Sequence, residues 1–203
     1  MNATRRLATF LLALLVGACA STPPVLVALP NPPQVRVAPQ PDGGTRPTVI
    51  LRQVTLPGYL DSWAIVVGRK ANTLVLSDDA EWAERLRDAV ARVLQDALSQ
   101  RLGASRVMLR GEHRTADAEL VVEFLKLDPS NGAVQLDARW SFVCTARERS
   151  PRAGRTELQV PLVSATAPAV AAATVDALAK FADALAGQTW CVSNRRAIRT
   201  FSE

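Results

Sequence analysis

The sequence predicts an α+β fold, in which two α-helices pack on one face of an antiparallel β-sheet, preceded by a signal peptide and a proline-rich tether. Three observations predict this fold class. Apolar and polar side chains alternate along residues 134–145, as in a strand with one buried face. Two segments, 82–102 and 166–187, repeat apolar residues at helical spacing. Between two strand-like segments, the Asn131-Gly132 pair indicates a hairpin turn.

Residues 1–18 are predicted to be a lipoprotein signal peptide. Arg5 and Arg6 precede an apolar run from Leu7 to Ala18, which is the order of an export signal. The run has 12 residues, whereas a helix that crosses a bilayer needs roughly 20. We therefore expect this segment to be removed and not to span the membrane.

The end of this segment predicts a lipid anchor at Cys19. Val16-Gly17-Ala18-Cys19 resembles the lipobox of bacterial lipoproteins: an aliphatic residue and two small ones that pass through the peptidase cleft, then the thiol that is acylated. Two or three acyl chains make a durable anchor. The alternative is an ordinary signal peptide with a chance cysteine at its end. Residues 20 and 21 are Ala and Ser, without the Asp that retains many lipoproteins in the inner membrane, so we expect the outer membrane with the domain in the periplasm.

Residues 19–47 are predicted to carry the lipid and form a tether. This segment contains eight of the 13 prolines and lacks helical or strand periodicity. Polyproline II geometry, at about 3.1 Å per residue, would let it reach far from a membrane surface. Reach toward a partner across the periplasm and a simple disordered spacer are both consistent with this composition.

Net charge does not indicate a nucleic-acid partner. The chain has 24 Lys and Arg against 19 Asp and Glu, and two of the basic residues belong to the signal peptide. The mature chain is therefore close to neutral, only 5% of all residues are aromatic, and the basic residues form no long block.

Residues 48–203 are predicted to form a single domain with a short C-terminal tail. Strand-like stretches cover 49–56, 63–67 and 73–76, separated by turns. The first helix is expected to be capped by Asp78, to bury Trp82 and Leu86 on one face, and to end at Gly103.

The second half of the domain predicts the hairpin, an edge strand and the second helix. After a short strand near 106–110, the hairpin buries Val134, Leu136, Ala138, Trp140, Phe142 and Cys144 on one face of its second arm. Pro161 then argues for an edge strand or a bulge around Leu158–Leu162. From Thr166 to Gly187 a second helix packs through Val170, Thr174, Leu178, Phe181 and Leu185. We favour core packing for this alanine-rich helix, and the alternative is an oligomer face.

The sequence argues against an enzyme and against a metal or cofactor site. Its one histidine, His113, lies in a polar segment between strands and is interpreted as a surface loop residue. Three scattered cysteines cannot build a zinc knuckle, and no nucleophile elbow, phosphate-binding glycine loop, HExxH or CxxC motif is present.

Cys144 and Cys191 are predicted to form a disulfide in an oxidising periplasm. The alternative is two separate buried thiols, because the sequence does not give the distance between their Cα atoms.

Four motifs in order resemble the ABC-type transport auxiliary lipoproteins, the paraquat-inducible protein C group. They are Val54-Thr-Leu-Pro-Gly-Tyr-Leu-Asp61, Ile65-Val-Val-Gly-Arg69, Trp82-Ala-Glu-Arg-Leu86 and Leu136-x-Ala-x-Trp140. The resemblance covers residues 48–187 and includes the lipobox and tether. It departs from the family where residues 62–64 and 81–86 lack Arg-Pro and Glu-Pro elements.

This resemblance implies a noncatalytic outer-membrane lipoprotein of an intermembrane phospholipid transport system. Its partner would be a periplasm-spanning protein with mammalian-cell-entry (MCE) domains, and the domain would dock that protein, alone or as a ring of copies. Tyr59, Leu60 and Trp63 are the predicted contact residues, and the alternative is that Tyr59 and Trp63 cover a sheet edge. A competing function is a structural envelope lipoprotein that binds peptidoglycan or another assembly complex.

Overall fold

The structure is a computed structural model that describes residues 22–35, 48–103, 107–108, 116–145 and 151–188. These residues form eight strands and two α-helices. The strands are β1 (Val25–Val27), β2 (Val49–Thr55), β3 (Ala64–Lys70), β4 (Thr73–Trp82), β5 (Val107–Met108), β6 (Ala118–Ser130), β7 (Ala133–Cys144) and β8 (Arg152–Pro161). The helices are α1 (Leu86–Leu102) and α2 (Ala167–Ala186), and a single 3-10 turn covers Gly58–Leu60.

The strands form two sheets, and the α+β class is confirmed. The larger sheet has the order β5-β2-β6-β7-β8 and the smaller has the order β1-β4-β3. The expectation of a purely antiparallel sheet needs correction, because β2 runs parallel to both β5 and β6, and β1 runs parallel to β4. Parallel pairing requires a long crossover connection, and β3, β4 and α1 supply one between β2 and the strands β5 and β6.

Both helices pack on the five-stranded sheet and on each other. The predicted stripe of α2 is buried, and Phe181 meets Phe124 of β6 edge to face with ring centroids 5.7 Å apart. Arg101 of α1 makes a two-pronged ion pair with Asp183 of α2. Twelve residues of α2 are buried within this one chain, which confirms core packing for the helix.

The start of the first helix differs from the prediction. Asp78 lies within β4, which continues to Trp82, and α1 begins at Leu86. Trp82 and Leu86 are four positions apart, which is the spacing of one face of a helix. The spacing therefore predicted a helix over residues that in fact span the boundary between β4 and α1. Pairing decides the conformation, because β4 is hydrogen-bonded to β1 on one side and β3 on the other. The predicted end is confirmed: Gly103 follows α1 with φ of 94°.

The hairpin and edge strand are confirmed. Asn131 and Gly132 have φ of 52° and 73°, the left-handed pair that a two-residue hairpin turn requires. β8 is an edge strand of the larger sheet and ends at Pro161. Proline has no backbone N–H to donate, and at the edge of a sheet this absence breaks no hydrogen-bond ladder between interior strands.

Part of the predicted tether is packed on the domain. Val25–Val27 pair with Ala80–Trp82, and the Ala83 N–H donates to the Val27 carbonyl at 2.8 Å. Leu29 is only 2% exposed. Arg92 of α1 donates to the Leu29 carbonyl at 3.1 Å, so the segment is also held to the first helix.

Candidate functional site

The predicted contact residues lie on and beside the 3-10 turn that follows β2. The Leu60 N–H donates to the Pro57 carbonyl at 2.9 Å and closes this turn. Tyr59 and Trp63 are partly exposed, at 38% and 46%. Leu60 is 3% exposed and belongs to the core, so the structure corrects its assignment: the Leu60 side chain holds the turn in place and is not available to a partner.

The Tyr59 side chain is fixed by a buried carboxylate. Its hydroxyl donates to Oδ1 of Asp128 at 3.2 Å, while Arg69 donates to Oδ2 of Asp128 from Nη2 at 2.6 Å and from Nε at 3.2 Å. Asp128 is 3% exposed, and the Arg69 guanidinium lies 5.3 Å from the centre of the Tyr59 ring. Burial of the phenol, reinforced by the negative charge of Asp128, raises the pKa of Tyr59 to about 12.

Trp63 is held by a second arginine. The Arg85 guanidinium lies 5.2 Å from the Trp63 ring and donates to the Asp61 carbonyl at 3.1 Å. The Trp63 carbonyl accepts from the Trp82 N–H at 2.8 Å, which ties the chain before β3 to the end of β4. Both aromatic rings therefore face an arginine in cation–π geometry, and Tyr59 is held in addition by its hydrogen bond to Asp128.

A groove of about 590 Å³ adjoins this turn, between β2 and α1. Asp61 lies at the groove, whose walls include Gln53 and Thr55 of β2 and Ala91 and Gln95 of α1. Arg87 of α1 pairs with Oδ2 of Asp61 at 3.3 Å. The buried Oδ1 of Asp61 accepts no hydrogen bond from any residue that the structure describes.

The arrangement is suited to binding a macromolecule. Aromatic and arginine side chains are the types enriched at protein interfaces and at their strongest contact points. Within the described ranges, no cluster of three or more His, Cys, Asp or Glu side chains could hold a metal ion. In the same ranges, no helix is long and apolar enough to cross a membrane.

The other predicted sites are only partly described. Cys19, Cys191 and His113 lie outside the described residues. Cys144 is disulfide-bonded, and its pairing with Cys191 stays a prediction.

Sequence reasoning missed Arg69, Asp128 and Arg85. Asp128 and Pro129 belong to β6, which ends at Ser130 just before the Asn131-Gly132 turn. An aspartate before a turn is common, so the sequence gives no sign that Asp128 is buried. Asp128 is buried beneath Arg69 because β3 packs against β6.

Comparisons with known proteins agree with this fold. A family model described as "ABC-type transport auxiliary lipoprotein component" matches residues 28–186, which confirms the resemblance expected from the motifs. No curated protein matches the chain. The chain is similar to a crystal structure of an uncharacterized protein, with 15% identity, a TM-score of 0.63, and coverage of 81% of this chain and 97% of that one.

A second similar crystal structure is a Xanthomonas campestris protein of family DUF330. The two chains are 18% identical, with a TM-score of 0.52 and coverage of 82% of this chain and 92% of the other. At these identities, both structures support the fold alone.

Proposed function

The chain belongs to the family of ABC-type transport auxiliary lipoprotein components, and from this premise we propose that it is an outer-membrane-anchored, noncatalytic component of an intermembrane phospholipid transport system. Acylated Cys19 anchors the chain, and the domain lies in the periplasm. There it docks a periplasm-spanning MCE-domain protein, so that the end of the lipid path is held at the outer membrane and the envelope keeps its integrity.

The observation that carries the docking proposal is the pair of arginine-backed aromatic side chains beside an open groove. Tyr59 and Trp63 are partly exposed and each already contacts an arginine, Arg69 and Arg85, which lowers the cost of ordering these side chains when a partner covers them. The adjoining groove offers that partner polar groups on its wall, among them the ion pair of Asp61 with Arg87. These features support a protein contact at this surface.

Co-purification with the MCE-domain protein of the same organism tests this proposal. The full lipoprotein is extracted in detergent, and its affinity for the MCE-domain protein is measured for the wild type, Tyr59→Ala and Trp63→Ala. We expect each variant to weaken capture by about tenfold or more, as truncation of a central aromatic contact does. Val143→Ala is the matched control, because Val143 is similarly exposed, at 47%, at the far end of β7.

Undiminished capture by both aromatic variants would reject this surface as the docking site. Failure of the wild type to capture the MCE-domain protein, together with sedimentation on purified peptidoglycan sacculi, would favour the structural envelope lipoprotein instead.

A further inference from the structure

A second cavity lies on another part of the domain, between the three-stranded sheet and the beginning of α2. It has a volume of about 500 Å³, within the range of roughly 300–1,000 Å³ typical of ligand pockets. Its walls are largely apolar and include Val27 of β1, Val67 of β3, Val75 and Ala80 of β4, and Ala167 and Pro168 of α2. Polar groups at this cleft include two carboxylates, Asp78 and Asp79.

Exposed apolar side chains surround this cleft. Val25 of β1 and Leu76 of β4 line it and are 62% and 46% exposed. Val163 is 97% exposed and precedes the lining residue Ala165 by two positions. Single exposed apolar residues are ordinary on a protein surface, whereas several around one apolar cleft mark a binding surface.

The sequence places the predicted anchor close to this cleft. β1 is part of the smaller sheet, and only five residues separate Cys19 from Val25. Even when fully extended, the six steps from Cys19 to Val25 span about 20 Å, at roughly 3.3–3.6 Å per residue. A lipid on Cys19 therefore keeps the Val25 end of the cleft within that distance of the bilayer.

We propose that this cleft and its apolar rim rest on the membrane that carries the anchor, where the cleft receives a phospholipid acyl chain. The inference rests on the proposed acylation of Cys19. Asp78 and Asp79 repel anionic headgroups, so the surface fits a zwitterionic phospholipid with an ammonium group. The occupant is a lipid of the anchoring bilayer, and the aromatic docking surface is separate from it.

Fluorescence quenching in vesicles tests the proposal with the full acylated chain. A polarity-sensitive fluorophore is attached at Val163→Cys, and the protein is reconstituted into phosphatidylethanolamine–phosphatidylcholine vesicles that contain lipids with nitroxide-labelled acyl chains. We expect a blue-shifted emission and strong quenching. The control is the same fluorophore at Ala153→Cys, which is an exposed position on β8. Ala153 lies eight residues before the end of this strand, which corresponds to about 26 Å at roughly 3.3 Å per residue. At this position we expect solvent-like emission and little quenching.

Two surface variants separate docking from anchoring. Leu76→Asp places a charge at the cleft and is expected to reduce quenching at position 163 at least twofold, whereas Val143→Asp makes the same change at similar exposure elsewhere and is expected to leave it unchanged. Circular dichroism checks that each variant is folded. Replacing half of the neutral lipid by phosphatidylglycerol is expected to weaken quenching.

The outcomes distinguish this inference from the proposed function. A protein that floats with the vesicles but shows equal, weak quenching at positions 163 and 153 overturns the inference and leaves the anchor intact. Emission at position 163 that shifts with protein density and not with nitroxide lipid also overturns it, because the cleft then contacts a second copy of the chain. A protein that does not float overturns the proposed anchor, and the inference with it.

Discussion

Tyr59 is the only tyrosine of the chain, so its ionisation can be followed without interference from other residues. Burial, the charge of Asp128 and the hydrogen bond to Asp128 all favour its neutral form, and they outweigh the opposing effect of Arg69. The folded-state pKa is raised from 10.0 to about 12. The corresponding contribution to stability is therefore fully present below pH 10 and is lost as the pH rises through 12.

We predict that the phenolate absorbance of the native protein develops near pH 12, about two units above that of the chain unfolded in urea. Asp128→Asn removes a negative charge beside the phenol, so we expect it to lower the pKa of Tyr59. Ultraviolet titration of both proteins checks this. A native titration that coincides with the unfolded one would contradict the buried contact with Asp128.

The exposed residues of the site were easier to foresee than the buried ones. Tyr59 and Trp63 follow a Pro-Gly turn, and a turn tends to present large side chains at the surface. The inward position of Leu60 and the pairing of Asp128 with Arg69, 59 positions away, depend on how β3 approaches β6. Local sequence carries no signal for such a contact.

At the scale of elements, the pairing of β7 with β8 depends on one position without a side chain. Gly154 lies opposite Trp140 in the ladder, and a Cβ added at Gly154 would lie 2.5 Å from Cζ2 of Trp140. The indole cannot easily move, because it packs edge to face on Phe142 and its Nε1 donates to the Thr156 hydroxyl at 3.0 Å.

We predict that Gly154→Ala lowers the free energy of unfolding by about 1–3 kcal/mol, the usual cost of overpacking. Gly58→Ala is the control: its added Cβ meets no atom within 4 Å, so we expect a change of about 0.5 kcal/mol or less. Urea unfolding monitored by tryptophan fluorescence measures both. Equal stability of the two variants would show that the indole has room to relax.

Elements with local signals were predicted well, whereas boundaries decided by distant partners were not. The Asn131-Gly132 turn and the end of α1 at Gly103 each depend on residues that adopt positive φ. The extension of β4 to Trp82 depends instead on pairing with β1, whose residues are 55 positions earlier. That pairing makes the smaller sheet mixed, and the parallel pairing of β2 with β5 and β6 makes the larger one mixed, which alternation along single strands could not reveal.

For the whole molecule, the main change is the role of the N-terminal segment. Its prolines predicted a tether from 19 to 47, but residues 22–35 run over the domain, with Val25–Val27 in a sheet and the Val35 N–H bonded to Oε1 of Gln100 at 3.0 Å. Prolines exclude a regular helix but allow an edge strand and an extended chain packed on a helix. The family match beginning at residue 28 agrees with a folded role for this segment.

If this segment is part of the folded domain, its buried residue must contribute to global stability. Leu29 is 2% exposed and belongs to the core, whereas Leu26, three positions earlier, is 65% exposed. We predict that Leu29→Ala lowers the free energy of unfolding by about 2–5 kcal/mol, the range for truncating a buried leucine, and that Leu26→Ala changes it by about 0.5 kcal/mol or less.

Chemical unfolding of the full chain compares the two variants, and hydrogen exchange provides a second measurement. The Ala83 amide, which donates to Val27, should be protected in the wild type and exchange faster in Leu29→Ala. If Leu29→Ala is as stable as Leu26→Ala, residues 22–35 do not contribute to the folded domain and belong to the tether. The short distance between the anchor and the apolar cleft would then no longer hold.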